Sequence, residues 1–239
     1  MQATQSWSII IFCYNEVGTI ESVVHSAVEF CEKIKCSQYE IIIVDDGSND
    51  GSREIIKQKS KQFTQIKTVF HENNFGIGRA LRAGYSKIEM ENVTAIPADG
   101  QFNLDELIPF ANIENGTFVS FFRKENTVYS IKRNILSYLN KKVNSFFLGI
   151  RLKDVNWVKI YKNSELKELN LKMKSSLVES EICSKLLLRK NKVVEVNSVY
   201  LQRKSGVSKG ASLKITMQAM SETLKLIFVI LFFRFSKKK

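Results

Sequence analysis

Apolar, β-branched runs alternate with helical patterns through the first 120 residues. Trp7–Tyr14, Glu40–Val44, Ile66–Phe70, Val93–Ala98 and Thr117–Phe122 have the length and β-branched content of buried strands. Between the first two, Glu16–Lys35 places Ile20, Val23, Val24, Ala27, Phe30, Cys31 and Ile34 at helical spacing. Gly51–Phe63 and Gly76–Glu91 predict two further helices, each opened by a glycine. Strands separated by such helices imply βαβ units and a mostly parallel sheet with helices on its faces. The second half is less regular. Ile131–Leu148 predicts an amphipathic helix, Leu152–Tyr161 a short extended piece, Leu177–Arg189 a helix and Lys192–Tyr200 a strand leading into a basic Gly/Ser loop, with a last helix from near Ala211.

With 239 residues, 44% of them hydrophobic, the chain can build one sizeable core. Its two prolines and the lack of any repeat or low-complexity linker mark no clean domain boundary. The expected organisation is one domain over residues 1–210, with a nucleotide half (1–110) and an acceptor half (111–210), followed by a terminal helix over 211–239. Cys13, Cys31, Cys36 and Cys183 have no metal-ligand spacing, and the N-terminus has no signal-peptide pattern, so the expectation is a reduced, cytoplasmic protein.

Charge changes the picture once it is divided. Residues 1–110 carry 10 Lys and Arg against 15 Asp and Glu, a balance of −5, whereas residues 111–239 carry 26 against 9, a balance of +17. A one-sided positive field of that size implies a polyanionic partner, either nucleic acid or an anionic membrane surface. Against nucleic acid, the chain shows no zinc spacing, helix-turn-helix signal or RNP-like aromatic motif. The run from Leu226 to Phe233 is apolar throughout and is bracketed by Lys225, Arg234 and Lys237 to Lys239. It is too short to span a bilayer, which takes about 20 apolar residues, but it suits a helix lying in the interface. Packing on the domain or in a homo-oligomer is the alternative.

Candidate chemistry centres on Asp45 and Asp46, two carboxylates at the end of a buried strand with a Gly/Ser/Asn turn directly behind them. Such a pair is costly to desolvate unless cations or hydrogen-bond donors meet it, and the crevice beyond strand ends is where open α/β sheets bind ligands. Three other segments accompany it: Ile9-Ile-Ile-Phe-Cys-Tyr-Asn-Glu16, Asn73-Asn-Phe-Gly-Ile-Gly-Arg-Ala-Leu-Arg-Ala-Gly84 and Ile96-Pro-Ala-Asp-Gly-Gln101. Singly, each reads equally well as turn chemistry or as glycine packing. The glycine run follows the third strand, not the first, which separates it from a dinucleotide fingerprint.

Together the four segments, in this order and each at a strand end, resemble the inverting glycosyltransferases of family two, with the GT-A fold, nearest to the polyprenyl-phosphate sugar synthases; the likeness runs from about residue 7 to 210. The resemblance implies that Tyr14 and Glu16 meet the nucleotide, that Asp45 and Asp46 hold its base and ribose, and that Gly76 and Arg79 or Arg82 lie near phosphate. It also implies a site for Mg²⁺ or Mn²⁺ at Asp99, with Gln101 as a neutral ligand; Pro97 stands where the family has the first metal-motif aspartate.

On the acceptor side Arg123, Arg133 and Ser137 resemble the family's arginine segment, and Asp154 with Lys159 and Tyr161 a looser acidic-aromatic stretch. Glu179 and Glu181 resemble its acidic pair, and the run from Arg203 to Ser208 and Lys209 its basic Gly/Ser loop. The roles implied are catalysis for Asp99, Arg123, Arg133 and Arg203, and substrate binding for Asp154, Glu181 and Ser208. A phosphate acceptor is already an anion and needs cations to position it, whereas a sugar hydroxyl needs a carboxylate to take its proton. The basic second half favours transfer from a UDP- or GDP-sugar to a polyprenyl phosphate at the cytoplasmic membrane face. The alternatives are a saccharide or lipid-linked glycan acceptor, with Asp154, Glu179 or Glu181 as base, and a non-catalytic nucleotide-sugar-binding protein.

Overall fold

The computed structural model describes residues 5–123, 142, 145–203 and 213–236. Its elements run β1 (Trp7–Cys13), α1 (Ile20–Lys33), β2 (Tyr39–Asp45), α2 (Ser52–Gln62), β3 (Ile66–Phe70), α3 (Ile77–Tyr85), β4 (Asn92–Pro97), a 3₁₀ helix (Leu104–Phe110), β5 (Thr117–Arg123), β6 (Lys159–Lys162), α4 (Asn163–Lys167), α5 (Val178–Leu188), β7 (Lys192–Ser198) and α6 (Leu213–Ser236). Most of the helix expected over 131–148 lies outside the described residues.

The strands form one seven-stranded sheet in the order β3-β2-β1-β4-β6-β5-β7. β1 is parallel to β2 and β4, β2 to β3, and β5 to β7, while β6 runs antiparallel between β4 and β5. The fold is therefore the expected α/β arrangement of the GT-A kind, a mostly parallel sheet flanked by helices. Strands of both charge halves share that one sheet, joined where β6 pairs with β4.

Alternation along β1 builds the two layers of core. Ile9, Ile11 and Cys13 face a cluster with Val24, Ala27 and Cys31 of α1, and Ile10 faces the other side with Ala80 and Leu81 of α3 and Ile182 of α5. Being covered on both faces, the central strands read as unbroken apolar runs. On the second face Leu226 and Ile230 of α6 are also buried. Among the described residues no helix is long and apolar enough to cross a membrane.

Two helix boundaries shift from expectation, one at a turn and one where strand side chains take over the amides. α1 starts four residues late, because Asn15 adopts a positive φ of 55° and the Glu16 carbonyl accepts from the amides of Thr19 and Ile20 in a turn. α3 stops at Tyr85, not Glu91: the Glu89 amide donates to Glu40 Oε1 at 2.6 Å and the Met90 amide to Ser8 Oγ at 3.1 Å. The 3₁₀ helix and α4 were too short to show a period.

Candidate active site

The C-terminal ends of β1, β2 and β4 open into a cleft of about 490 Å³. Polar side chains of the chain itself lace these ends together. The Asn15 amide donates to Ser48 Oγ at 2.9 Å, the Asn49 amide to Asn15 Oδ1 at 2.8 Å, and the Glu16 amide to Ser52 Oγ at 2.9 Å. Thr19 Oγ1 donates to the Ala98 carbonyl at 2.7 Å, tying the turn after β1 to the loop after β4. The Asn, Ser and Thr residues of these motifs thus serve as cross-links between loops, the local hydrogen-bonding chemistry for which such residues suit turns.

Asp45 is fully buried beneath this lacework and does not line the cleft; its oxygens accept from the Ser48 amide at 3.2 Å and from Arg53 Nε at 2.7 Å. Asp46 does line the cleft. Its Oδ1 lies 2.7 Å from His71 Nδ1 and accepts from the Phe75 amide at 3.0 Å, while Oδ2 accepts from the Gly76 amide at 2.7 Å. Asp46 thus anchors the glycine loop, and Asp45 the turn that follows β2. Gly47 makes the turn possible, since at φ 81° an added Cβ would lie 2.6 Å from the Asn73 carbonyl carbon. Arg53 and His71 were not among the expected site residues; the signal for them is position, since one lies in the first turn of α2 and the other directly after β3.

Two arginines from the second half of the chain enter the cleft. Arg123 Nε bonds Asp154 Oδ2 at 2.8 Å, and its guanidinium stacks 4.7 Å over Trp157 and 5.6 Å over Tyr200. Arg203 pairs with Glu16 and lies 3.9 Å from Asp99 Oδ2. Tyr14, Glu16, Asp46, Gly76, Asp99 and Gln101 meet Arg123 and Arg203 in this one cleft. Asp99 accepts the Gln101 amide at 3.1 Å; burial raises its pKa, against the pull of that amide and of Arg203. The Cys13 thiol in the same wall is pushed up to about 12, chiefly by burial, and so stays neutral.

Glu179 also lines the cleft and is held by Tyr85 Oη and Tyr161 Oη, each at 2.7 Å, with Lys159 Nζ 3.7 Å away. Burial lifts both phenol pKa values well above their ordinary range, so both remain donors. Besides Asp45, three expected residues are placed elsewhere. Glu181 is fully buried, where it accepts from the Lys172 and Met173 amides and pairs with Lys185 Nζ at 2.6 Å; these bonds brace the segment before α5. Asp154 positions Arg123 from behind, and Arg79 stacks 5.0 Å over Phe75. Arg133 and Ser208 lie outside the described residues.

The expected metal motif retains one carboxylate. Among the described residues no group of three His, Cys, Asp or Glu side chains could hold a metal ion. Gln101 turns its Nε2 to the Leu201 carbonyl at 3.3 Å, so its amide is engaged as a donor. Mg²⁺ in such sites is held by one or two carboxylates with water and substrate phosphates. Asp99 fits a cation that arrives with a diphosphate and supplies neutralising charge there.

Comparison with known proteins completes the picture. The model of the family described as Glycosyl transferase family 2 matches residues 8–163. The chain is 26% identical over 211 residues to the undecaprenyl-phosphate 4-deoxy-4-formamido-L-arabinose transferase of Photorhabdus laumondii, covering 87% of this chain and 64% of that protein. It thus spans less than two thirds of the length of that curated relative. In fold it is similar to the glucosyl-3-phosphoglycerate synthase of Mycobacterium tuberculosis in complex with uridine diphosphate, at a TM-score of 0.61 and 17% identity over 93% of this chain and 80% of that one. A mannosyltransferase from Pyrobaculum calidifontis in complex with GDP-Man and Mn²⁺ is similar to the same degree, with a TM-score of 0.61 and 16% identity over 95% of this chain and 64% of that one.

Proposed function

The chain belongs to glycosyl transferase family 2, and from that premise we propose that it moves a sugar from a UDP- or GDP-sugar to a polyprenyl phosphate at the cytoplasmic face of a membrane. One observation carries the choice of acceptor. To the cleft the second half of the chain contributes two arginines, Arg123 paired with Asp154 and Arg203 paired with Glu16, and one carboxylate, Glu179, which is held by two tyrosines. That arrangement suits an acceptor that arrives ionised and needs cations to place it, not a base to deprotonate it. The similarity to an undecaprenyl-phosphate sugar transferase supports the same reading.

In this reading an oxygen of the acceptor phosphate attacks the anomeric carbon from the face opposite the diphosphate. The new C–O bond forms as the bond to the diphosphate breaks, the electron pair leaves with the nucleoside diphosphate, and the anomeric configuration inverts. Arg123, fixed by Asp154 and packed over the rings of Trp157 and Tyr200, orients the acceptor phosphate. Arg203 meets the charge that builds on the leaving group. A divalent cation at Asp99 would add to that neutralisation.

The test is nucleoside diphosphate release by purified protein with Mg²⁺ or Mn²⁺, across a panel of UDP- and GDP-sugars, with and without a short polyprenyl phosphate. Release that rises only with the lipid phosphate is the expected result. Donor binding without release in the presence of any lipid phosphate would overturn the acceptor assignment.

A further inference from the structure

The helix α6 has two apolar faces, and among the described residues only one of them is buried against the fold. Leu226 and Ile230 are buried against the second core cluster, whereas Leu224, Phe228, Leu231, Phe232 and Phe235 are exposed, Phe228 at 71% and Phe232 at 76%. At about 100° per residue, these five fall within a single stripe on the side opposite Leu226 and Ile230. Lys225 and Arg234, both exposed, flank the stripe on its two sides.

A second exposed apolar element adjoins it. Phe146 is 82% and Phe147 43% exposed, directly before Leu148, which shares the core cluster of Leu226 and Ile230. A Cβ on Gly149 would lie 4.0 Å from Arg234 Nη2, so this segment and the C-terminal end of α6 are in contact. Exposed apolar surface of this extent, rimmed by charge, marks an interaction face and is not ordinary surface scatter.

We propose that this face is a membrane-docking surface, which seats the α6 stripe and the Phe146–Phe147 pair in the headgroup boundary of an anionic bilayer. Charge selects the occupant. The half of the chain that carries the face has a balance of +17, and Lys142, Lys190, Lys225 and Arg234 are exposed basic residues of it. A second copy docking here would bring like charges together, whereas an anionic lipid surface neutralises them. Aromatic and leucine side chains on one face with Lys and Arg beside them form the pattern of an interfacial helix. Docking deepens the polyprenyl-phosphate reading, on which it rests for its purpose, since it would hold the enzyme at the surface in which that acceptor is anchored.

The experiment is flotation of the full chain with vesicles of phosphatidylcholine alone and of equal parts phosphatidylcholine and phosphatidylglycerol. The wild type and a Phe228→Ser/Phe232→Ser/Phe235→Ser variant are compared, with solution mass measured by light scattering. The wild type should float with the anionic vesicles and not with the neutral ones, as a monomer in their absence. The triple variant should bind at least about tenfold more weakly, with unchanged circular dichroism and unchanged turnover of a detergent-dispersed short polyprenyl phosphate. Equal flotation of wild type and variant, no flotation of the wild type, or a wild-type dimer that the variant dissolves would each overturn the proposal. Turnover of the dispersed acceptor is read separately, so a failed docking surface and a failed acceptor assignment give different results.

Discussion

The guanidinium of Arg203 pairs with the carboxylate of Glu16 and stands 3.9 Å from Asp99 Oδ2, so a cation from beyond β7 bridges groups delivered by the ends of β1 and β4. A diphosphate entering between these loops would offer Arg203 a denser charge than Glu16 does. Arg203→Ala is therefore expected to lower kcat about 100-fold at any acceptor concentration, the scale of losing one donor to developing charge, and to raise donor KM while acceptor KM changes far less. Arg203→Lys should recover only part, because an ammonium lacks the planar fork. Steady-state kinetics with donor and acceptor varied separately decide it; an unchanged kcat in the alanine variant would remove Arg203 from the mechanism.

Burial raises the pKa of Asp99. Catalysis in the proposed reading needs the ionised form, so activity should fall as pH drops through that raised value, and the acid limb of the kcat/KM profile should stand above the ordinary aspartate range. The stability effect has the opposite sense. The native state keeps this proton to higher pH than the unfolded chain does, so the contribution is full below the unfolded pKa and is lost as pH rises through the folded one. Asp99→Asn should abolish turnover while leaving denaturant stability at neutral pH equal or higher. Retained turnover would sink the assignment.

How much of this was legible beforehand depends on the range of the interaction. β1 to β5 could be read because they are local apolar, β-branched runs, and the four motif loops because Asn, Asp, Gly and Ser mark strand-end turns wherever they occur. The insertion of β6 between β4 and β5 could not be read, since Lys159–Lys162 is a four-residue strand carrying two lysines, and only long-range pairing makes it one. The same limit applies within the acidic pair of α5. Glu179 and Glu181 are indistinguishable by residue type, and which one faces the cleft is decided by Tyr85 and Tyr161 on one side and by the Lys172 and Met173 amides on the other.

Arg53 is the cation that makes a fully buried Asp45 tolerable, through a 2.7 Å bond from Nε, and its Nη2 also donates to the His71 carbonyl. Arg53→Ala leaves that carboxylate buried without its ion partner, at a cost of about 3 kcal/mol, reduced to the extent that Arg53 itself is 25% exposed. Urea unfolding should show a lower midpoint with little change in slope. A midpoint equal to that of the wild type would mean that the turn stands without the pair.

Glu179 distinguishes the two acceptor classes. For a phosphate acceptor it is a buried, tyrosine-held wall of the cleft, and Glu179→Gln should keep kcat within about tenfold, since the amide oxygen can still accept from one phenol while its NH2 donates to the oxygen of the other. If the acceptor were a sugar hydroxyl with Glu179 as its base, the same variant would lose a factor of about 100 or more. Single-turnover rates with saturating donor separate the two outcomes.

Gln101 was expected as a neutral metal ligand through its side-chain oxygen, and its Nε2 and backbone carbonyl have a second task. Nε2 donates to the Leu201 carbonyl at 3.3 Å while the Leu201 amide donates to the Gln101 carbonyl at 3.1 Å, so this residue staples the segment before Arg203 to the loop that carries Asp99. Gln101→Glu tests the two roles against each other. A metal ligand would be improved by the added charge, with tighter Mn²⁺ dependence. A staple would be broken, because a carboxylate cannot donate to the Leu201 carbonyl and repels it. The expected result is a loss of about tenfold in kcat/KM, equivalent to one buried hydrogen bond, with weaker binding of nucleoside diphosphate measured by calorimetry without metal. Higher activity at low Mn²⁺ would instead restore Gln101 to the metal site.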